Sequence, residues 1–190
     1  MLLDKHIVVF GGSFNPPHIG HSVVLLWLQQ ALKATDIIVI PTYQHAFDKD
    51  LASFEHRMTM CGLMANMFSG VKVSGIERTL PHPNRTINLI REVAKAYTCP
   101  IALVVGTDIL FELPTWYQWE NIVKEAKIVV AGRQGYKQEN KVPFEYYDYP
   151  IDISAVSSTT IRERIKNGQT TVGLLPAAVE DYIKEHGLYK

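Results

Sequence analysis

Short, uninterrupted runs of β-branched and aliphatic residues, each halted by glycine or proline, are the feature that most narrows what this chain can fold into. Ile7-Val8-Val9-Phe10 ends at Gly11-Gly12, Asp36-Ile37-Ile38-Val39-Ile40 ends at Pro41, and Ile101 to Val105 ends at Gly106. A strand with one face in water alternates apolar and polar residues, whereas a strand covered on both faces is apolar throughout. Between these runs lie segments with helical periodicity. Ile19, Val23, Leu26, Leu28 and Leu32 define an apolar face over Ile19 to Lys33, and Ser53 is placed to cap a Met-rich helix over Phe54 to Phe68. Val71 to Ile76 reads as a third strand, Thr86 to Tyr97 as a helix, and Ile128 to Ala131 as a fifth strand after a helical stretch within Ile109 to Ala126. Strands that trade places with helices imply a parallel sheet joined by right-handed crossovers. The predicted class is α/β, a doubly wound parallel sheet with helices on both faces.

Periodicity is lost from Gly132 to Pro150, which predicts a long surface excursion before Ile151-Asp152-Ile153. Two helices follow, one starting at Ser158 and ending before Gly168, the other with Pro176 near its first position and Gly187 past its end. No change of composition marks a boundary, so residues 1–190 are expected to form a single domain.

Nineteen Lys and Arg balance nineteen Asp and Glu. That balance leaves no excess charge for nucleic-acid backbones or anionic lipid, and argues against a general nucleic-acid or membrane binder. Cys61 and Cys99 are too few for a disulfide framework and lack the paired spacing of a structural zinc site, so both are expected to be buried thiols. The opening Met1 to His6 lacks the basic start of a secretory signal, and no apolar run reaches the ~20 residues that span a bilayer. A cytoplasmic, reducing setting is expected. The sequence leaves a homo-oligomer open.

Doubly wound sheets bind ligands outside the C-terminal ends of their strands, so chemistry is expected in the loops that follow them. After the first strand comes Gly11-Gly12-Ser13-Phe14-Asn15-Pro16-Pro17-His18-Ile19-Gly20-His21. The glycines allow close approach of a ligand, the prolines stiffen the loop, and a helix begins between two histidines. Unpaired N–H groups and the positive end of the helix dipole favour phosphate, to which His18 and His21 add donors. Neither Gly-x-x-x-x-Gly-Lys-Ser/Thr nor Gly-x-Gly-x-x-Gly occurs here, which weakens ATPase and dehydrogenase readings. A metal pair is disfavoured, because no further ligands cluster in sequence and the Glu of a His-Glu-x-x-His zinc site is absent. A tight turn bearing two surface histidines is the plainer alternative.

This stretch resembles the opening of bacterial nicotinate-nucleotide adenylyltransferases, within the nucleotidyltransferases that carry a His-x-Gly-His element. Asn15 stands where an Asp is often found. Ser157-Ser158-Thr159-Thr160-Ile161-Arg162 is similar to the Ser-Ser-Thr-x-Ile-Arg of the same group. Unaided, this second element is a hydroxyl-capped helix start with a cation, Arg162, at its positive end, a placement that calls for something negative nearby. An exposed Arg162 paired with Glu163 is the alternative. Gly106-Thr107-Asp108 and the following Trp116-Tyr117 strengthen the match. The resemblance runs nearly end to end.

The resemblance implies a Rossmann-like fold and adenylyl transfer from ATP to nicotinate mononucleotide. It implies ATP binding by Gly11, Gly12, Ser13, Phe14, His18, His21, Gly106, Asp108, Ser157, Ser158, Thr159 and Arg162. It implies pyridine-nucleotide binding by Asn15, Arg85, Thr86, Trp116, Tyr117 and Arg133. His18, His21, Lys49 and Arg162 would stabilise charge, with Mg²⁺ held through the substrate phosphates and by no protein metal site. Lys49 stands outside the family's usual Pro-His-Lys context, and Pro81 to Thr86 departs from its Ser-Tyr-Thr segment, so the choice between acid and amide stays open. Nicotinamide mononucleotide, phosphopantetheine or glycerol phosphate as acceptors, and a nucleotide-binding module without turnover, are the other readings.

Overall fold

The computed structural model describes residues 2–43, 51–132, 142–149 and 156–190. Six strands, β1 (Ile7–Gly12), β2 (Asp36–Pro41), β3 (Val71–Val73), β4 (Ile101–Gly106), β5 (Ala126–Ala131) and β6 (Tyr147–Tyr149), form one sheet in the order β3-β2-β1-β4-β5-β6. All five pairings are parallel. This is the doubly wound order, in which the direction of winding reverses between β1 and β4 while the strands stay parallel.

Side chains alternate across the sheet and fill two cores. Val8, Phe10, Ile37, Val39, Ala102, Val104 and Val129 pack on one side against α1 (Ile19–Gln30), α2 (Phe54–Ala65), α6 (Ser158–Lys166) and α7 (Ala177–Glu185). Ile7, Val9, Ile38, Ile40, Leu103, Val105 and Val130 face the other side, covered by α3 (Thr86–Ala96), α4 (Thr107–Glu112) and α5 (Trp119–Glu125). Val8 and Val9 are both wholly buried although they point opposite ways. Burial of each such side chain contributes about 1.5–3 kcal/mol, which is why neither face of β1 tolerates a polar residue.

Several expectations are corrected. In α1 the buried apolar side chains are Val24, Leu25 and Leu28, while Val23 and Leu26 are 38% and 51% exposed. Apolar residues occupy every side of this helix from Val23 to Leu28, so spacing alone could not choose the inward face. The third strand stops at Val73 and Ile76 begins a 3-10 turn. The stretch after β4 breaks into two helices, because Pro114 opens a 3-10 turn and Gln118 takes a left-handed φ of 54°. The sixth strand, Tyr147–Tyr149, lies inside the expected surface excursion, on the sheet edge beside β5. Ile151 to Ile153 fall outside the described residues. Cys61 is buried in α2, and burial pushes its thiol well above the ordinary range, but Cys99 is exposed in the turn before β4. Among the described residues, no helix is long and apolar enough to cross a membrane.

Candidate active site

A cavity of about 640 Å³ opens beyond the C-terminal ends of β1 and β4, where the strand order reverses. Its walls come from the loop after β1, the starts of α1 and α6, and the segment after β4. That volume suits a nucleotide-sized ligand.

The loop after β1 is tightly constrained. Phe14 is 1% exposed at a left-handed φ of 46°, edge-on to Phe10 at 5.4 Å between ring centroids and 4.8 Å from the His21 ring. A side chain at Gly12 would press on the Phe14 ring at 3.3 Å, whereas one at Gly11 would meet nothing within 4 Å. Packing therefore accounts for Gly12, while Gly11 leaves space open on the cavity side. Asn15, also 1% exposed, lies beneath the loop. Its Oδ1 accepts from the Ala52 N–H at 3.0 Å and the Tyr189 hydroxyl at 2.8 Å, so this carbonyl braces the loop and is not turned to the cavity.

His18 is the extended N-cap of α1 and is 3% exposed, while His21 sits in the first turn. The rings lie 3.8 Å apart, and the His18 backbone N–H donates to His21 Nδ1 at 3.0 Å. A backbone N–H can only donate, so Nδ1 presents its lone pair and the neutral His21 ring carries its proton on Nε2. One expectation is reduced: the first N–H of α1, from Ile19, is already taken by the Leu174 carbonyl at 3.0 Å. The segment before α7 closes over this helix start, leaving fewer backbone donors for an anion than spacing suggests.

The start of α6 meets the same loop. Ser157 caps the helix by accepting from the Thr160 N–H at 3.1 Å. The Ser158 hydroxyl donates to the Pro16 carbonyl at 2.9 Å, and Arg162 Nη1 donates to the Asn15 carbonyl at 2.9 Å. Arg162 is thus turned to the loop after β1, not toward Glu163. Ser157, Ser158, Thr159 and Arg162 join Gly11 to Phe14, His18 and His21 around one cavity.

Across the cavity stand Gly106, Asp108, Thr86 and Trp116. A Cβ at Gly106 would collide with the Asp108 carboxylate where it now stands, so any side chain at this helix start would displace that carboxylate. Tyr117, 53% exposed, and Arg85 are not part of the lining. The Arg85 guanidinium lies 5.4 Å from the centre of the Tyr117 ring, a cation–π pair on the surface. Lys49 and Arg133 lie outside the described residues.

The cytidylyltransferase-like family matches residues 9–164. A "Probable nicotinate-nucleotide adenylyltransferase" of Anaeromyxobacter dehalogenans (strain 2CP-1 / ATCC BAA-258) is 38% identical over 190 residues, covering 98% of this chain and 97% of its own. The chain belongs to the nicotinate-nucleotide adenylyltransferase family. A further member, from Myxococcus xanthus (strain DK1622), is 33% identical over 185 residues, covering 96% of this chain and 94% of its own. The Plasmodium falciparum nicotinic acid mononucleotide adenylyltransferase complexed with NaAD shares the fold, with a TM-score of 0.81 at 22% identity over 97% of both chains.

Three residues around this family member's cavity escaped the sequence reading. Glu77 lines the wall and accepts from the Tyr43 N–H at 2.9 Å. Tyr189 braces Asn15, and burial pushes its phenol well above the ordinary range, which keeps it a hydroxyl donor. Arg57 is 1% exposed under the loop. A signal for Arg57 was available: it shares a helical face with Met60, Cys61 and Met64, where a solvated arginine does not belong.

Proposed function

We propose that the chain transfers the adenylyl group of ATP to nicotinate mononucleotide, giving nicotinate adenine dinucleotide and pyrophosphate. A mononucleotide phosphate oxygen attacks the α-phosphorus, the bond from that phosphorus to the bridging oxygen breaks, and pyrophosphate leaves with the electron pair. The attacking oxygen is already ionised at neutral pH, so no serine nucleophile or strong base is required. Position and charge neutralisation are the protein's task. Well-oriented reactants gain roughly 7–11 kcal/mol over the bimolecular reaction.

The observation that carries this reading is the joining of two helix starts, distant in sequence, at one cavity: Ser158 and Arg162 of α6 bond the Pro16 and Asn15 carbonyls ahead of α1. His21 Nε2, the Arg162 guanidinium, and the N–H groups of Ser158 and Thr159 then surround the triphosphate, with His18 setting the His21 ring. Lys49 is a further phosphate contact in this reading. Gly106 and Asp108 hold the adenosine side, and Trp116 with Thr86 at the start of α3 offers the pyridine nucleotide a flat apolar face and a helix N-terminus. Arg85 and Tyr117 are assigned to the outer edge of that subsite, and Arg133 is a further pyridine-nucleotide contact in this reading.

Among the described residues no group of three His, Cys, Asp or Glu side chains is placed to hold a metal. In this reading Mg²⁺ enters as part of the substrate, carried on the ATP phosphates and its own water, in keeping with its reluctance to dehydrate. It supplies charge neutralisation to the departing pyrophosphate.

Pyrophosphate release measured over a panel of acceptors, with and without chelator, tests the assignment. Nicotinate mononucleotide is expected to give the highest kcat/KM, and chelation to abolish release. Preference for nicotinamide mononucleotide, phosphopantetheine or glycerol phosphate would replace the acceptor, and nucleotide binding with no release from any acceptor would overturn the enzyme reading.

A further inference from the structure

Arg57, in the first turn of α2, is buried and makes no direct ion pair with a carboxylate among the described residues, Glu77 acting on it only at longer range. Its guanidinium instead gathers backbone carbonyls from three separate segments. Nη1 donates to Ser13 O at 3.0 Å and to Thr42 O at 2.7 Å, Nε to Ala52 O at 3.0 Å, and Nη2 to Tyr43 O at 3.4 Å. Removing a cation from water is costly, and burial lowers the hold of this guanidinium on its proton. Fixing ordinary packing would need no charge here, since Met60, Cys61 and Met64 fill the same helix face with apolar groups.

What the carbonyls do is fixed by the peptide plane. In a trans peptide, the carbonyl of one residue and the N–H of the next point in opposite directions. At Thr42–Tyr43 the consequence is visible: the Thr42 carbonyl is held by Arg57, and the Tyr43 N–H points away to the Glu77 carboxylate on the cavity wall, 2.9 Å distant. Ser13–Phe14 has the same construction. The Ser13 carbonyl is held by Arg57, so the Phe14 N–H points the other way, and it makes no backbone hydrogen bond among the described residues. Phe14 is also the residue at φ 46°, a left-handed conformation that a bulky side chain keeps only when its surroundings over-determine it. At Tyr43 the anion facing the N–H is a carboxylate of the protein. At Phe14 no carboxylate of the described residues is bonded in that way.

We propose that Arg57 is a positioning residue: by holding the Ser13 carbonyl it aims the Phe14 backbone N–H at a nucleotide phosphate, adding a donor to the transition state without touching substrate itself. This rests on the adenylyl-transfer reading above and names a part of the site that neither helix start provides. Arg57→Met keeps the volume and loses the fork, while Arg57→Lys keeps a charge that cannot reach three segments at once.

The test combines kinetics with the amide signal itself. Protein labelled with ¹⁵N-phenylalanine carries seven such amides, and Phe14→Leu identifies the one concerned. A non-hydrolysable ATP analogue with Mg²⁺ is expected to shift the Phe14 resonance in the unaltered chain and to leave it unmoved in Arg57→Met, which still binds the analogue. Turnover of Arg57→Met is expected to fall about 10²-fold, the cost of a misplaced reacting group, with KM for ATP little changed and Arg57→Lys intermediate. A Phe14 amide that stays still while the analogue moves other Phe signals, such as Phe10, overturns the role of Arg57 and leaves adenylyl transfer standing. Unchanged kcat in a folded Arg57→Lys or Arg57→Met does the same. An analogue that moves no signal contradicts the nucleotide reading, and with it this proposal. Should Arg57→Met fail to fold, Arg57→Lys and the titration of the unaltered chain decide the matter.

Discussion

His21→Ala is expected to lower kcat about 10²–10³-fold, the usual cost of losing one donor to developing negative charge, while KM for ATP changes little. The asymmetry follows from the ring's setting. The His18 N–H bond at 3.0 Å occupies Nδ1, so the group facing the phosphates is the Nε2 N–H. A neutral donor contributes modestly to binding a solvated ground-state phosphate. It contributes more as charge accumulates on the oxygens around the departing pyrophosphate, in a site from which water is displaced. His21→Asn, which retains an N–H donor but not the ring, is expected to recover part of the loss. Steady-state kinetics with saturating mononucleotide separate the two parameters, and a variant with near-normal turnover would remove His21 from the mechanism.

Arg162→Ala is expected to lower kcat/KM for ATP by at least as much, and here KM should rise as well. Two functions are lost together. The guanidinium is a full positive charge beside a polyanion, favouring ground and transition states alike, and its Nη1 bond to the Asn15 carbonyl at 2.9 Å ties α6 to the loop after β1. Arg162→Lys restores charge but not the fork that reaches both Asn15 and Thr159, so it should recover KM more fully than kcat. An alanine variant with unchanged kcat/KM would show that the cation serves the loop alone.

Much of the fold could be read in advance, because a strand buried on both faces has few alternatives: Ile7 to Phe10 and Ile101 to Val105 are where their composition placed them. Ambiguity entered where local signals were either saturated or too short. Helix α1 is apolar on every side from Val23 to Leu28, and burial in the core on one side of the sheet selected Val24 and Leu25 over Val23 and Leu26. Strand β6 has three residues, with the polar Asp148 between tyrosines, too few to establish a period. The two helix starts were legible because glycine, proline, histidine and capping hydroxyls have narrow uses. Arg57, Glu77 and Tyr189 were not, since their roles are set by partners far along the chain. Tyr189 meets Asn15 across 174 residues, and Arg57 meets Ser13 across 44. Likewise, Tyr117 beside Trp116 looked like a second stacking face, but the turn leading to Gln118 carries it outward to Arg85.

The most direct measurement of the central claim is a crystal structure with a non-hydrolysable ATP analogue and Mg²⁺. One triphosphate is expected to lie between His21 Nε2 and the start of α6, within hydrogen-bond reach of both and of Arg162. A nucleotide whose phosphates touch one helix start and leave the other in water, or which binds away from the β1–β4 crevice, would contradict the account.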